Sequence, residues 1–453
     1  MNTPRFRRPD PAQRPPTRSD EEQDDSGDAV EPDAWSQEGG EGEETGYRPR
    51  GRRDEPVRAV TPSAGWLSPW VQLKYFSYHP SVYGRMIAAT SPRIEPGSLV
   101  TVYDRNGEIF GSGFHNGRAR VPLRVLHHGS QPIGEDWFPE ALARAVSLRR
   151  GILRLDAVTE AWRAVSSDGD SLSGLTIDRY GDVLMIEVHS LGIWQRLPGW
   201  LATLHELCGT RRHIIRMDPE IARIEGVRLP PPDPAAPKTV RVREHGIRYE
   251  VNFAEGHKTG FFCDQRDNRR RLADFTEGRR VLDICCYTGG FALSAKLTGK
   301  AAEVTAVDLD EKAIAQARHN ANLNQCRGID WVHADAFSWM RTMIRNGTKW
   351  EVIVLDPPKL VHSRDDEEDD GRRRYEDMNG LALQLLEPGG IFVTCSCSGL
   401  LGMEEFERIV IKAAHRNRRR LQFLDRTGAG ADHPVLSNCP ESRYLKVIWA
   451  RVW

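Results

Sequence analysis

From about residue 258 onward, short runs of apolar and β-branched residues alternate with stretches of helical spacing. Runs at 281–284, 304–307, 331–333, 352–355 and 391–393 are too uniformly apolar to expose one face, and helical stretches at 291–296, 311–324 and 378–386 separate them. The pattern predicts an α/β domain with a mostly parallel sheet, buried on both faces by helices. Ligands of such a sheet bind beyond the carboxyl ends of its strands.

Upstream the period changes. Segments 99–103 and 108–114 flank Asp104-Arg105-Asn106-Gly107 and predict a β-hairpin closed by an Asn-Gly turn. With strands at 70–73 and 118–125, they make residues 66–130 a small β-rich module, followed by a helix over 139–153. A mixed unit comes next: strands at 162–165, 175–182, 183–188 and 214–216, the turn Asp168-Gly169-Asp170 and a helix over 194–207. A Pro-rich linker at 230–237 and a hairpin of 240–242 with 247–253 lead into the last domain. The expected division is a tail over 1–65, a β-rich domain over 66–145, a central α+β domain over 146–237 and the α/β domain over 238–453.

Composition changes the picture at one end. Residues 1–58 carry ten Arg and no Lys against fifteen Asp and Glu, a net −5 that leaves the remainder at +4. Such a low-complexity segment cannot bury enough apolar surface to offset its ordering entropy, so disorder is expected there. The mildly basic body permits a nucleic-acid partner without requiring one. No apolar stretch approaches the 18 residues of a membrane span, and the prolines among the first 19 residues oppose a targeting helix. The eight cysteines lack the spacing of a disulfide framework, which points to a reducing cytoplasm. Cys395 and Cys397 are too close for a CxxC knuckle, so no metal is expected at that pair.

The candidate chemistry lies at the predicted strand ends. After the first strand, Asp283 precedes a turn containing Tyr287, Thr288, Gly289 and Gly290, where small residues let backbone approach a ligand. The turn lacks the GxGxxG that seats a pyrophosphate. Asp308 ends the second strand, where a carboxylate accepts hydrogen bonds from a ribose diol, and Asp335 follows the third, where it can read an adenine amino group. Either acid alone reads equally as a helix cap. Together the three fit an adenosine without phosphates, S-adenosylmethionine, better than NAD.

The fourth strand ends in Asp356-Pro357-Pro358-Lys359 and the fifth in Thr394-Cys395-Ser396-Cys397-Ser398-Gly399. A thiolate beside a carboxylate suggests pyrimidine chemistry: addition to C6 of cytosine makes C5 a carbon nucleophile. Asp356 is expected to hold the N3/N4 edge. Cys397 needs a depressed pKa, for which Lys359 and the N-terminus of the following helix are both candidates.

Five ordered motifs then carry a resemblance. Gly256 to Arg269, Asp283 to Gly290, Asp356 to Lys359, Thr394 to Gly399 and Ala431-Asp432-His433-Pro434 resemble the bacterial large-subunit rRNA cytosine-5 methyltransferase I family, over roughly residues 66–453. The resemblance implies an N-terminal PUA-type RNA-binding domain, consistent with the β-rich module and with His79-Pro80, and a class I methyltransferase domain with a Rossmann-like fold. It implies Cys397 as nucleophile, Cys395 as bystander, an rRNA substrate and a possible homodimer. It also implies that Lys258 to Arg269, including Thr259, Phe261, Gln265 and Arg266, close over S-adenosylmethionine. Cys285 and Cys286 are expected to pack. Arg364 to Arg374 departs from the family pattern as an acidic then basic insertion, expected to be a solvated loop.

Other readings remain. The same fold serves methylation of guanine or another RNA nucleotide without a covalent adduct, and an RNA-binding assembly factor with a relict pocket is a non-enzymatic alternative. A small-molecule methyltransferase is disfavoured by the two additional N-terminal modules.

Overall fold

A computed structural model of the protein describes residues 59–254, 260–362 and 370–453. The first module is a six-stranded sheet of Trp70–Leu73 (β1), Ser81–Val82 (β2), Ile87–Thr90 (β3), Ser98–Tyr103 (β4), Ile109–His115 (β5) and Leu123–His128 (β6), in the order β2-β6-β5-β4-β1-β3. β4 and β5 form the expected hairpin. Asp104 Oδ1 accepts from Asn106 N at 2.8 Å and Glu108 N at 3.0 Å, and Gly107 supplies φ +83°. β6 starts at Leu123, later than the predicted 118. Asn116 turns the chain first, its Oδ1 accepting from Arg118 N and its carbonyl from Ala119 N, and Pro122 has no N–H for a ladder.

The central unit contains Trp137–Ser147 (α1), Ala161–Ser166 (β7), Leu175–Tyr180 (β8), Val183–Val188 (β9), Leu191–Cys208 (α2) and Arg212–Arg216 (β10), with strand order β10-β9-β8-β7. Phe114 of β5 stacks on Phe138 of α1 with centroids 5.4 Å apart, so this core is continuous with the first module. Pro219–Glu225 (α3) escapes the hydrophobic pattern, but its ends are written in the sequence. Asp218 accepts from Glu220 N and Ile221 N, Pro219 opens the first turn, and Gly226 closes the helix at φ +77°. Thr239–Glu244 (β11) and Ile247–Asn252 (β12) form the connecting hairpin.

The α/β domain follows as Arg266–Leu272 (α4), Arg280–Ile284 (β13), Gly290–Leu293 (α5), Glu303–Asp308 (β14), Glu311–Leu323 (α6), Ile329–His333 (β15), Ala336–Arg345 (α7), Trp350–Leu355 (β16), Gly371–Leu385 (α8), Leu386–Ser396 (β17), Met403–Arg416 (α9), Leu421–Thr427 (β18) and Lys446–Val452 (β19). Strand order is β15-β14-β13-β16-β17-β19-β18, with β13 to β17 parallel and β19 antiparallel to both its neighbours. Val281, Leu282 and Ile284, and Val352 to Leu355, are fully buried, as the uniform apolar runs require. The order reverses between β13 and β16, which opens a crevice at the carboxyl ends of these strands.

The predicted insertion is partly corrected. Residues 371–374 are not loop but the first turn of α8, where Arg372 Nε pairs with Glu405 at 2.6 Å. The acidic residues 365–369 lie outside the described residues. Among the described residues, no helix is long and apolar enough to cross a membrane.

Candidate active site

The turn after β13 is held in an unusual backbone conformation. Cys285, Tyr287 and Gly289 all have positive φ, at +62°, +48° and +83°. Asp308 at the end of β14 fixes it: Oδ2 accepts from Tyr287 N at 2.8 Å, and Oδ1 from Asp310 N at 2.9 Å. Gly289 is required by space as well as by φ, because a Cβ there would lie 2.6 Å from the Trp331 ring. At Gly290 a Cβ would meet the Arg269 side chain at 2.8 Å. A cleft beside the turn is lined by Gly260, Tyr287, Thr288, Asp310, Lys312 and Gln316.

Two carboxyl groups meet at the switch point, Asp283 buried and Asp356 half-buried. Asp283 Oδ2 accepts from Ala292 N at 2.9 Å, while its Oδ1 is buried without a hydrogen-bond partner among the described residues. Burial pushes the Asp283 pKa up to about 8, against the lowering effect of that hydrogen bond. Asp356, just past β16, accepts from Gln265 Nε2 at 2.9 Å. Burial, then the Asp264 carboxylate, raises Asp356 to about 7. Near neutrality Asp356 is therefore a proton donor for part of the time.

β16 and β17 are parallel neighbours, with Leu355 opposite Thr394, so Asp356 and the cysteine pair emerge side by side. Cys395 is fully buried in β17, and burial followed by the nearby Asp356 carboxylate drives its thiol well above the ordinary range. Cys397 lies just beyond the strand and is partly exposed. None of the eight cysteines is in a disulfide. Cys286 is buried, Cys285 packs at the edge of a core cluster, and burial pushes both thiols up, in keeping with packing roles.

Lys359 is exposed on the loop after β16, and α9 begins only at Met403. A second lysine lies near the end of β17. Lys446 opens β19 opposite Ser396, is almost wholly buried, and donates to Ser398 O at 2.5 Å and Tyr444 O at 2.7 Å. Burial lowers its pKa to about 8, and Cys397 and Glu405 pull upward. Tyr375 of α8 also reaches this corner, its hydroxyl accepting from Ser396 Oγ at 3.0 Å and lying 3.1 Å from Ser398 Oγ. Neither residue was legible beforehand, because a pairing across 50 positions of chain brings Lys446 to Ser396.

Several expected cofactor residues have other partners in this structure. The Arg266 guanidinium pairs with buried Asp432 at 2.9 and 3.0 Å. Phe261 is buried, packed 5.0 Å from Tyr249 and beneath the Arg269 guanidinium at 4.7 Å. Asp335 caps α7 through Ser338 N at 2.9 Å, the simpler of its two readings, and is exposed. Lys258 and Thr259 lie outside the described residues.

The fold and sequence have known relatives. A family model described as S-adenosylmethionine-dependent methyltransferase matches residues 233–446, and a PUA-like domain model matches 69–128. The ribosomal RNA large subunit methyltransferase I of Photobacterium profundum is 36% identical over 380 residues, covering 81% of this chain and 94% of its own. The protein of that name from Escherichia coli K12 is 33% identical, covering 83% and 95%. A solved SAM-dependent methyltransferase from Streptococcus mutans shares the fold, with TM-score 0.69, 21% identity, and coverage of 84% of this chain and all of that one. The Rossmann-like sheet, the PUA-like module and the S-adenosylmethionine cofactor are thus those of a known enzyme group, and the chain belongs to the ribosomal RNA large subunit methyltransferase I family.

Proposed function

We propose that this protein transfers a methyl group to C5 of a cytosine in large-subunit rRNA, through a covalent bond between Cys397 and C6. The observation that carries the proposal is the juxtaposition, at adjacent strand ends, of a partly exposed thiol near a buried lysine and a carboxyl group that holds its proton near neutrality. The relatives' names supply the polymer. The proposed modules are 66–145 for RNA binding, 146–237 as the central domain and 238–453 for catalysis.

S-adenosylmethionine supplies an electrophilic methyl group. The crevice suits it, since an orphaned Asp283 oxygen and a strained, glycine-tight turn both await a polar ligand at backbone distance. Asp308 retains a lone pair on each oxygen for the ribose hydroxyls, and Asp335 keeps Oδ2 for the adenine edge. The backbone from Tyr287 to Gly290 lines the approach. Arg266 and Phe261 are assigned to holding the walls, and Gln265 to orienting Asp356.

Lys446, as ammonium, favours the Cys397 thiolate. Sulfur bonds to C6, and the C5–C6 π pair moves to C5 while Asp356 donates its proton toward N3. C5 takes the methyl group as the donor's S–CH3 bond breaks to leave a neutral thioether. The C5 proton then leaves to water, N3 returns its proton to Asp356, and the C5–H pair re-forms the C5–C6 double bond as the C6–S bond breaks to free the Cys397 thiolate. The base must be unpaired or flipped to reach the thiol. Lys359, exposed at the rim, is placed to meet the RNA backbone rather than the thiol. Bisulfite mapping of rRNA from cells with and without the gene tests the substrate: one cytosine should lose protection in the deletion, and unchanged protection everywhere would overturn the assignment.

A further inference from the structure

Three distant chain segments bring a second set of reactive side chains together. His79 immediately precedes Pro80 and β2, Asp168 lies in the turn after β7, and Cys439 and Glu441 flank Pro440 near the C-terminus. A ring nitrogen of His79, the Cys439 sulfur and a Glu441 carboxylate oxygen all lie within 4.8 Å of one another. Cys439 is buried, His79 half-buried, and Glu441 forms the solvent edge. The Asp168 carboxylate, outside this group of three, is the strongest charged influence on the Cys439 thiol, and its Oδ1 is buried without a hydrogen-bond partner among the described residues.

The scaffold under these groups is tight. Gly169 approaches Pro434 so closely that a Cβ would lie 2.2 Å from the Pro434 carbonyl oxygen. Asn438 Nδ2 donates to Tyr78 O, which locks the segment before Cys439 onto the segment before His79. Ser81 presents both its N–H, 3.0 Å from His79 Nδ1, and its carbonyl, 3.2 Å away. The imidazole can therefore adopt the tautomer that donates from Nδ1 to a backbone carbonyl and leaves the Nε2 lone pair directed at Glu441, the usual support of a metal-bound histidine.

We propose that His79, Cys439 and Glu441, with solvent at the fourth position, form a zinc site that ties the first β-module to the C-terminal segment. One imidazole, one thiolate and one carboxylate oxygen suit zinc, whereas magnesium and calcium take oxygen ligands alone. The pair His79 Nε2 and Glu441 Oε1, now 2.7 Å apart, must open to about 3.3 Å to flank a tetrahedral ion with bonds of about 2.0 Å. Glu441, at the solvent edge, is the member of the pair that would shift.

The test uses the full chain, purified without chelator from zinc-supplemented cells and dialysed against metal-free buffer. Elemental analysis should find about one zinc per chain, and Cys439→Ser or His79→Gln should cut that content by about tenfold or more. Cys326→Ser should leave it unchanged. Cobalt added to the stripped protein should give a thiolate charge-transfer absorption that disappears in Cys439→Ser. Wild-type protein that retains no zinc and gives no cobalt–thiolate band would overturn the proposal, as would a band that persists in Cys439→Ser. The wild-type readings decide the matter even where a variant fails to fold.

Discussion

Arg266 and Asp432, 166 residues apart, meet in a buried two-pronged ion pair with Nη2–Oδ1 at 2.9 Å and Nη1–Oδ2 at 3.0 Å. Asp432 also accepts from Arg163 N at 2.9 Å, and its carbonyl takes Arg149 Nη2 at 2.6 Å, so one residue joins the central unit to the α/β domain. Burial would raise the Asp432 pKa, but His433 and Arg266 hold it far below the usual carboxylate range. Removing one partner strands the other charge in the interior. Asp432→Ala is expected to lose about 3–5 kcal/mol in urea unfolding, and the double change Arg266→Met with Asp432→Leu to recover part of it. A loss below about 1 kcal/mol, the worth of a surface pair, would contradict this reading.

This pair marks what the sequence leaves hidden. The uniform apolar runs of β13, β14, β16 and β17 announce a buried parallel sheet because both faces demand it. β18 escapes notice, with every second residue exposed at the sheet edge, and β19 gains its place by antiparallel pairing with β17 and β18. The acids and Cys397 were legible because strand ends can be located from local pattern. Lys446, Tyr375 and the true partner of Arg266 were not, since each contact joins segments far apart in the chain.

Lys446 gives a direct test of how the thiol is activated. The rate of Cys397 alkylation by iodoacetamide, measured against pH, should inflect at higher pH in Lys446→Met than in wild type, and Lys446→Arg should restore most of the shift. Lys359→Met should leave the inflection in place. An unmoved inflection in Lys446→Met removes the buried lysine from the account.

The raised carboxyl pKa values carry a sign. Asp283, ordinarily at 3.8, stays protonated in the folded chain up to about 8, so between these values the folded state binds a proton that the unfolded chain has released. Its contribution is fully present below the ordinary value and is lost as pH rises through the folded one. Asp283→Asn keeps an acceptor for Ala292 N and removes the titration. Relative to wild type without cofactor, its melting temperature should rise progressively from about pH 4 to about pH 8. A constant difference across that window would contradict the buried acid.

Gly289 combines φ +83° with contact against Trp331, so even one methyl group strains the turn. Gly289→Ala should destabilise the chain by about 1–3 kcal/mol and weaken S-adenosylmethionine binding in calorimetry. Unchanged affinity would separate this turn from the cofactor.

The nucleophile is the central claim, and trapping it is the most direct measurement. In large-subunit rRNA carrying 5-fluorocytosine, fluorine replaces the C5 hydrogen that must leave as a proton, so incubation with enzyme and S-adenosylmethionine should leave a protein–RNA adduct stable to denaturation. The adduct should form with wild type and Cys395→Ala and be absent with Cys397→Ala, which should also fail to methylate ordinary rRNA. Methyl transfer that survives Cys397→Ala would contradict covalent catalysis by this residue.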